Sequence, residues 1–344
     1  MKKHVNIPVF IPHLGCPNTC VFCNQRTICG HDSFDPESVR SEIDEALLTI
    51  GADTECEIAF FGGSFTGIDR DLMVSLLEIA HSYIEKGQVS SVRCSTRPDY
   101  ISEEIIDVLK KYGVKTVELG LQSSSDRVLK RTKRGHTFED EKRAADLIVK
   151  SGLSLVGQMM IGLPDSTADD ELKTADFIIS SGAVAARIYP TVVFYGTELK
   201  EMAERGEYTP ITNEEAAFRC AAVYERFFEA GVKVIRIGLH SSENLTDDTK
   251  FYAGASHSAM GELVLGEFYY ERIKRAIVKK SIPNGSLINI KVPKGAVSRA
   301  VGLNKRNKLR LTDEFSLRSL KFTEDETLAE GEVKVTYGKG RICI

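Results

Sequence analysis

Apolar and polar residues along positions 35–240 follow two periods in turn, and this pattern predicts helices that are each followed by a strand. In the first helical stretch, apolar residues recur at every third or fourth position, which is the spacing of one helix face. Asp35 and Pro36 suit its N-cap and its first helical position. A β-rich run, Ile58 to Phe61, comes soon after Gly51. The predicted apolar face consists of Val39, Ile43, Ala46, Leu47 and Ile50.

The same unit of amphipathic helix, glycine and β-rich run recurs to about residue 240. Each glycine stands where a left-handed C-terminal helix cap is favoured. Thr137 and Asp140 form a capping-box pattern, which predicts a helix that begins near Phe138. The capping glycines are Gly87, Gly113, Gly152, Gly182 and Gly231. The β-rich runs after the last four are Val114 to Leu121, Leu153 to Ile161, Val184 to Pro190 and Val232 to Leu239.

Alternating strands and helices with short connections predict an α/β fold with a parallel sheet. The periods alone do not decide between a closed barrel and an open sheet. Beyond residue 241 the pattern changes to one helix near 260–278 and β-like runs at 287–292 and 332–337. We therefore predict a first domain over 1–240 and a small α+β extension over 241–344, a candidate substrate-binding or lid region.

The composition is that of an ordinary globular protein. Of its 344 residues, 42% are hydrophobic and 27% are charged, which excludes a disordered chain. No run approaches the roughly 18 apolar residues of a membrane span, and the opening Met-Lys-Lys is not followed by a signal-peptide pattern. We expect a soluble, cytoplasmic protein without a membrane partner.

The charges are unevenly distributed, although the net charge is only −4. Residues 272–310 contain many Lys and Arg and neither Asp nor Glu. Such a run can neutralise RNA phosphates, or it can be an ordinary solvated surface. Its cations include Lys279, Lys280, Lys291, Lys294, Arg299, Lys305, Arg306, Lys308 and Arg310.

Three cysteines, Cys16, Cys20 and Cys23, follow the first predicted strand at spacings of three and two intervening residues. Thiolates are soft ligands that suit zinc or iron-sulfur clusters. Three of them would leave one iron of a 4Fe-4S cluster without a protein ligand, and that iron can bind the amino and carboxylate groups of S-adenosylmethionine. Alternatively, Cys29 is a fourth thiolate that completes a closed zinc or electron-transfer site.

Scattered cysteines of this kind indicate a reducing compartment rather than a disulfide framework. Four others are interpreted as buried or incidental side chains. They are Cys56, Cys94, Cys220 and Cys343.

The cysteine segment resembles the signature of the radical S-adenosylmethionine superfamily. Phe61 to Gly67 resembles the glycine motif of that superfamily, at the end of the second barrel strand. Five further segments resemble, in order and spacing, the catalytic subunit of Elongator and its bacterial relatives, and the matches span about residues 5–210. They are Ser95 to Tyr100, Val117 to Ser123, Arg134 to Thr137, Arg187 to Thr191 and Gly196 to Leu199.

The resemblance implies a partial (β/α)6 TIM-like barrel whose site lies at the carboxyl ends of the strands. It implies a 4Fe-4S cluster on the three cysteines, S-adenosylmethionine as cofactor, a 5'-deoxyadenosyl radical, and a reductant of the flavodoxin or ferredoxin type. The implied cofactor contacts are Gly62, Gly63, Ser64, Thr66, Ser95, Arg97, Gln122, Tyr189 and Pro190.

Several questions stay open in the sequence. It identifies no catalytic side chain, and the roles of Glu118, Arg134, His136 and His257 are undecided between site and structure. Oligomeric state and the fate of S-adenosylmethionine are undecided too. Gly254 to His257, with Gly261 and Glu262, is a candidate lid or a helix-capping turn.

The substrate is tRNA in the first hypothesis, by resemblance to the Elongator subunit. Two alternatives are a radical enzyme acting on a small molecule, such as a free modified nucleobase or a tetrapyrrole-like metabolite, and a non-catalytic iron-sulfur or zinc protein that binds RNA. The cysteine spacing is shorter than that of the Elongator subunit. Because the sequence ends at Ile344, without room for an acetyltransferase domain, we expect no acetyl transfer.

Overall fold

The computed structural model describes residues 3–11, 14–16, 20–24, 34–51, 53–239 and 251–338. Its contacts divide the chain into two compact units. The first unit is Met1–Ile211 with Arg226–Ser258, and the second is Thr212–Glu225 with Ala259–Ile344. The domain boundary near 240 stays a prediction.

A parallel sheet forms the framework of the first unit. Its strands are β1 (Lys3–Ile11), β2 (Thr54–Gly62), β3 (Ser91–Thr96), β4 (Val114–Gln122), β5 (Ser154–Ile161), β6 (Ala185–Pro190) and β8 (Lys233–Ile237). They are ordered β1-β2-β3-β4-β5-β6-β8, and every neighbouring pair is parallel. The α/β fold and the partial barrel are confirmed. The curled sheet has seven strands, one more than the (β/α)6 barrel that the resemblance implied.

Helices connect the strands. Those of the first unit are α1 (Val39–Leu48), α2 (Arg70–Glu85), α3 (Glu103–Lys111), α4 (Asp126–Arg131), α5 (Phe138–Lys150), α6 (Ala168–Ser180) and α7 (Glu198–Glu204). The helices that precede the capping glycines lie at the predicted places, whereas α4 and α7 were not predicted. The Thr137 and Asp140 capping box at the start of α5 is confirmed. The five predicted capping glycines all have positive φ angles, between 67° at Gly87 and 83° at Gly152, which glycine adopts without strain.

The two faces of the sheet differ in polarity, because successive residues of a strand point to opposite sides. On β3, Val92 and Cys94 are fully buried. On the same face of β5, Gly157 leaves room for Ile178 of α6, since a Cβ atom there would lie 2.6 Å from the Ile178 Cγ2 atom. The opposite face carries polar side chains, with Ser95 of β3 paired in register with Glu118 of β4. The helices therefore cover the apolar face, and polar groups line the other.

A short antiparallel ladder completes the first unit. It pairs β7 (Val192–Phe194) with β9 (Phe251–Gly254). Gly254 of the candidate lid segment lies in this ladder opposite Val192. The lid itself stays a prediction.

The second unit combines helices with a mixed sheet. The helix α8 (Asn213–Glu229) begins in it, and its other helices are α9 (Met260–Lys279), α10 (Val297–Val301) and α11 (Arg306–Glu314). Its strands are β10 (Leu287–Val292), β11 (Ser319–Glu324) and β12 (Lys334–Gly338), ordered β11-β10-β12. The sequence predicted α9 and β10 closely, placed β12 two residues early, and missed β11, α10 and α11. In the described part of the chain, no helix has the length and apolar character needed to cross a bilayer.

Candidate functional site

The three predicted metal ligands lie on the loop that follows β1, called here the cysteine loop (residues 12–24). Cys20 is buried, whereas Cys16 and Cys23 are partly buried. The Cys23 N–H donates to the Cys20 carbonyl at 3.0 Å, which closes a tight turn. The Val21 N–H donates to the Thr132 carbonyl at 3.2 Å. The described part of the loop is therefore folded on itself and tied to the segment after α4.

A second tie connects the cysteine loop to α7. The Leu199 N–H at the start of that helix donates to the Val21 carbonyl at 2.8 Å. The Val21 side chain also belongs to a small apolar cluster with Val193, Leu199, Met202 and Tyr208. Apolar burial and backbone hydrogen bonds thus fix the middle of the loop from two sides.

The glycine motif after β2 packs directly on the backbone of the cysteine loop. The Gly63 N–H donates to the Ile11 carbonyl at 2.7 Å, and the Ser64 N–H donates to the Leu14 carbonyl at 3.0 Å. A Cβ atom at Gly63 would lie 2.1 Å from the Leu14 oxygen, and one at Gly15 would lie 2.2 Å from the Ser64 oxygen. Glycine is required at both positions because the two backbones touch.

The hydroxyl groups of this motif are engaged inside the protein. Ser64 Oγ lies 2.9 Å from Thr96 Oγ1, and Thr66 Oγ1 lies 2.6 Å from the same atom. Thr66 also donates to the Tyr100 carbonyl at 3.0 Å, and Ser64 accepts the Arg97 N–H at 3.2 Å. These hydroxyls join the ends of β2 and β3, and their predicted contact with the cofactor stays a prediction.

Two buried arginines stand beside the cysteines. Arg134 donates from Nη1 to the Cys20 sulfur at 3.3 Å and from Nη2 to the Gly120 carbonyl at 2.6 Å. Arg97 donates from Nε and Nη2 to the Asp99 carboxylate, both at 2.9 Å. Its Nη1 atom is buried and has no hydrogen-bond partner in the described structure.

Burial has the largest effect on the pKa of the Cys16 thiol, and the two arginines have a smaller effect on it. Burial raises the pKa of the Cys16 thiol, and the nearby Cys20 raises it further. Arg97 and Arg134 act in the opposite direction on that pKa, since a positive charge favours the thiolate. Both arginines are thus close enough to stabilise negative charge on the cysteine loop.

Gln122 and Ser95 lie at the carboxyl ends of β4 and β3. Gln122 has a φ angle of 73°, and the pairing with β5 shifts between Gly120 and Gln122. Its Oε1 atom is buried without a hydrogen-bond partner in the described structure. Ser95 Oγ accepts from Gln158 Nε2 at 3.3 Å. The strained Gln122 backbone and its unpaired oxygen suit a residue held in place for a ligand.

Glu118 is at the centre of an ion-pair network on the polar face of the sheet. It is fully buried, and Arg93 donates to it at 2.9 Å while Arg187 donates at 2.8 Å. Gln158 donates to its other oxygen at 2.8 Å. Arg93 also bonds Glu57 at 2.7 Å. This carboxylate has a structural use, the pairing of charges across several strands.

Tyr189 and Pro190 end β6, beside that network. Burial raises the pKa of the Tyr189 hydroxyl, Arg187 opposes the rise, and Glu118 adds to it. Pro190 is buried and pairs in register with Ile161. Their predicted place near the adenine stays a prediction.

His136 lies two residues after Arg134, in a buried cluster of acidic and basic side chains. Its Nε2 atom is 3.0 Å from Glu141 Oε1, and its Nδ1 atom is 3.8 Å from Asp99 Oδ1. Burial, reinforced by Arg134 and Arg97, lowers the pKa of His136 to about 3. Burial also raises the pKa of Glu141 well above its usual value. Burial thus disfavours the charged form of both groups, which fits a brace of the loop.

The three thiols and the unpaired polar groups beside them are chemically suited to an iron-sulfur cluster and a polar cofactor. Among the described residues, no three His, Cys, Asp or Glu side chains could hold one ion. In a cluster each thiolate binds a different iron, so the sulfur atoms need not converge on one point. Unpaired buried groups at Arg97 and Gln122 leave hydrogen-bonding capacity for a polar cofactor. Cys29, the alternative fourth thiolate, lies outside the described residues, as does Cys343.

The sequence matches known family profiles over most of its length. Residues 10–178 match the Radical SAM superfamily, and residues 184–270 match the Radical SAM C-terminal domain. The chain therefore belongs to the radical SAM superfamily, a class of enzymes that the cysteine and glycine segments had indicated. This membership removes the non-catalytic interpretation.

Two curated relatives show which members of the superfamily this chain resembles. The tRNA uridine(34) acetyltransferase of Methanocaldococcus infernus is 34% identical over 206 residues, which cover 54% of this chain and 38% of that protein. A putative methylthiotransferase of Methanocaldococcus jannaschii is 30% identical over 229 residues, which cover 60% of this chain and 50% of that protein. The chain thus spans half or less of the length of either relative.

This chain also resembles a solved structure from the same organism as the first of these relatives. Methanocaldococcus infernus Elp3, in a form that lacks its N-terminal residues 1–46, superposes with a TM-score of 0.61 at 25% identity, over 84% of this chain and 71% of that chain. The predicted resemblance to the Elongator catalytic subunit is confirmed.

Sequence reasoning missed several residues that organise the site. Thr96 binds both motif hydroxyls, Asp99 holds Arg97, and Arg93 with Gln158 holds Glu118. A signal existed for Arg93 and Gln158, because Arg93 is a charged residue between the apolar Val92 and Cys94, and Gln158 interrupts the apolar run of β5. None existed for the pairing of Arg134 with Cys20, 114 positions away in the sequence.

Proposed function

We propose that this chain holds a 4Fe-4S cluster on Cys16, Cys20 and Cys23, binds S-adenosylmethionine beside it, and modifies tRNA. When bound, the cluster and S-adenosylmethionine supply a 5'-deoxyadenosyl radical by reductive cleavage, with an electron from a flavodoxin- or ferredoxin-type reductant. The observation that carries the proposal is the cysteine loop itself. It bears three thiols, packs on the glycine motif, and lies beside two buried guanidinium groups.

The protein's own residues would bind and orient the cofactor. The free Arg97 N–H suits a carboxylate, and the unpaired Gln122 oxygen suits a hydroxyl or an ammonium group. Gly62 and Gly63 let the end of β2 pack directly on the Ile11 and Leu14 backbone, which supports the cysteine loop. The polar face around Glu118 supplies charged and amide groups beneath the strand ends.

A tRNA substrate is supported by the similarity to the tRNA uridine(34) acetyltransferase of Methanocaldococcus infernus. The basic run gives less support than its sequence suggested, because carboxylates from other segments pair with eight of its cations. The pairs are Arg272–Glu225, Lys274–Glu314, Arg275–Glu225, Lys291–Asp325, Lys294–Glu326, Arg299–Glu262, Arg306–Glu214 and Arg310–Glu267. Lys279, Lys280, Lys305 and Lys308 have no ion-pair partner among the described residues, and they are the remaining candidates for phosphate contacts.

Anaerobic reconstitution with iron and sulfide tests the radical chemistry. After addition of dithionite and S-adenosylmethionine, chromatography should detect 5'-deoxyadenosine from the wild type and none from Cys20→Ala. Cys56→Ala is the matched control, because Cys56 is also a buried free cysteine but lies near the start of β2, away from the glycine motif at its end. This variant should retain the wild-type yield. Unchanged yield from Cys20→Ala would refute the ligand assignment.

Salt-dependent binding tests the RNA partner. The logarithm of the affinity for bulk tRNA should fall linearly with the logarithm of salt concentration. The double change Lys305→Gln and Lys308→Gln should reduce that slope by about two. Lys294→Gln, which removes a lysine already paired with Glu326, should change it less. Binding that is absent or insensitive to salt would favour a small-molecule substrate instead.

A further inference from the structure

We propose that Arg134 is a positioning residue that makes the bound cluster easier to reduce, by donating a hydrogen bond to the Cys20 thiolate and placing a positive charge beside it. The inference rests on the proposed function. It assigns a redox role to a residue that the sequence left undecided between substrate contact and loop brace.

The Arg134 guanidinium is fixed from two sides. Nη1 donates to the Cys20 sulfur at 3.3 Å, and Nη2 donates to the Gly120 carbonyl at 2.6 Å. Gly120 lies where the pairing of β4 with β5 shifts register, so the irregular end of the strand presents this carbonyl. Because the planar fork is held by the sheet, the other donor is aimed at the loop with little freedom.

Both partners are withdrawn from water. Arg134 and Cys20 are each only 6% exposed, so salt and solvent screen their interaction far less than that of a surface pair. The Nε atom of Arg134 is also buried without a partner in the described structure. A further N–H is therefore available to a bound group beside the cysteine.

Arg134 differs from the other arginine near the thiols in its charge balance. Arg97 is neutralised by two bonds to the Asp99 carboxylate. Arg134 has no ion pair within the described residues, and burial raises the pKa of the nearby Glu141 carboxyl group, which disfavours its charged form. The positive charge that the cluster meets is therefore mainly that of Arg134.

The direction of the effect follows from charge alone. Reduction moves one electron from the external reductant onto the cluster, and no bond forms or breaks in that step. A nearby cation and an N–H donor to a ligand sulfur both stabilise the more negative state, and charge and hydrogen bonds to sulfur are among the properties that set cluster potentials. Removing Arg134 should make the cluster harder to reduce.

The test is a redox titration of the reconstituted full chain, with the reduced cluster followed by electron paramagnetic resonance. The midpoint potential is measured only on chains that hold a cluster, so it does not depend on occupancy or turnover. Arg134→Gln should have a more negative midpoint than the wild type. Arg134→Lys, which keeps the charge but loses the planar fork, should fall between them.

Arg131→Gln is the matched control, since Arg131 lies three residues earlier, is exposed, and pairs with Glu207. It should leave the midpoint unchanged. An unchanged midpoint in Arg134→Gln, or an equal shift in the control, would overturn the inference. So would failure of both Arg134 variants to load iron while the control loads normally, since Arg134 would then only support the loop. A wild type that binds no cluster would overturn the proposed function as well, which distinguishes the two failures.

Discussion

The contact between the cysteine loop and the glycine motif can be tested by one added methyl group. In Gly63→Ala, the new Cβ atom would lie 2.1 Å from the Leu14 oxygen and 2.9 Å from the Ile11 oxygen. Both neighbours are backbone atoms, which cannot rotate away as a side chain would. Ordinary contacts of this kind begin near 3.4 Å, so the loop must move by more than about 1 Å.

The expected cost follows from that overlap. Overpacking of a well-fitted site typically costs about 1–3 kcal/mol. If the displaced loop carries this cost when it binds the cluster, the apparent affinity for the cluster falls roughly 5- to 150-fold. The free energy of unfolding should fall by an amount in the same range, because the added Cβ atom would strain the Gly63 N–H bond to the Ile11 carbonyl in the folded variant.

The assay is iron and sulfide bound per chain after reconstitution at limiting iron, together with denaturant unfolding of the apoprotein. Gly51→Ala is the matched control, because its Cβ atom would meet only the Thr54 hydroxyl, at 4.0 Å. It should load and unfold like the wild type. If Gly63→Ala bound as much iron as Gly51→Ala, the packing of the two loops would not position the cysteines, and the reasoning would be wrong.

Three further substitutions probe the surroundings of the site. Glu118→Gln should lower the free energy of unfolding by about 3–5 kcal/mol in denaturant titration, because it leaves the Arg187 charge buried without its carboxylate. Thr96→Val should lower it by about 1–3 kcal/mol, since the buried Ser64 and Thr66 hydroxyls each lose one of their two hydrogen-bond partners. Because the pKa of His136 is lowered in the folded chain, a fall in pH protonates this histidine in the unfolded chain before it does so in the folded chain. Its stability contribution is therefore complete above about pH 6.5 and is lost as the pH falls toward 3, so His136→Asn should lose less stability than the wild type between pH 7 and 4.

Each of these three has a control outside the site. Glu55→Gln and Thr49→Val change exposed residues and should leave the free energy of unfolding within about 0.5 kcal/mol of the wild type. For His136→Asn, the pH dependence of Glu55→Gln serves as the reference. A Glu118→Gln protein as stable as Glu55→Gln, or a His136→Asn protein with an unaltered pH profile, would contradict the electrostatic picture.

Local signals explain why much of the fold could be predicted. Periods of 3.6 and 2 and the capping glycines are properties of a few neighbouring residues, and they located the strands of the large sheet. The strand β11 (Ser319–Glu324) was missed because it is short, has only two apolar residues, and pairs with β10, which is distant along the chain. The cysteines were recognised by spacing alone, without any knowledge of what holds them.

Contacts between distant segments account for the other differences. The basic run contains no acidic residue, so nothing within it predicted that Glu262, Glu267 and Asp325 would neutralise its cations. Arg134 likewise gave no sign in the sequence that it reaches Cys20. Such pairs exist only after the chain has folded, and they changed the interpretation of both regions.

The contrast between the two faces of the large sheet also constrains how its strands can pair. A slip of one residue in β3 would press the Arg93 charge against the helices and turn Val92 toward the polar side. In most half-buried sheets such a slip costs free energy on one face only, because the other face is exposed to solvent and accommodates most side chains. Here the ion pairs of Arg93 with Glu57 and Glu118 would be broken at the same time. Misaligned pairing is therefore opposed from both sides, and the strand ends that carry the site keep their alignment.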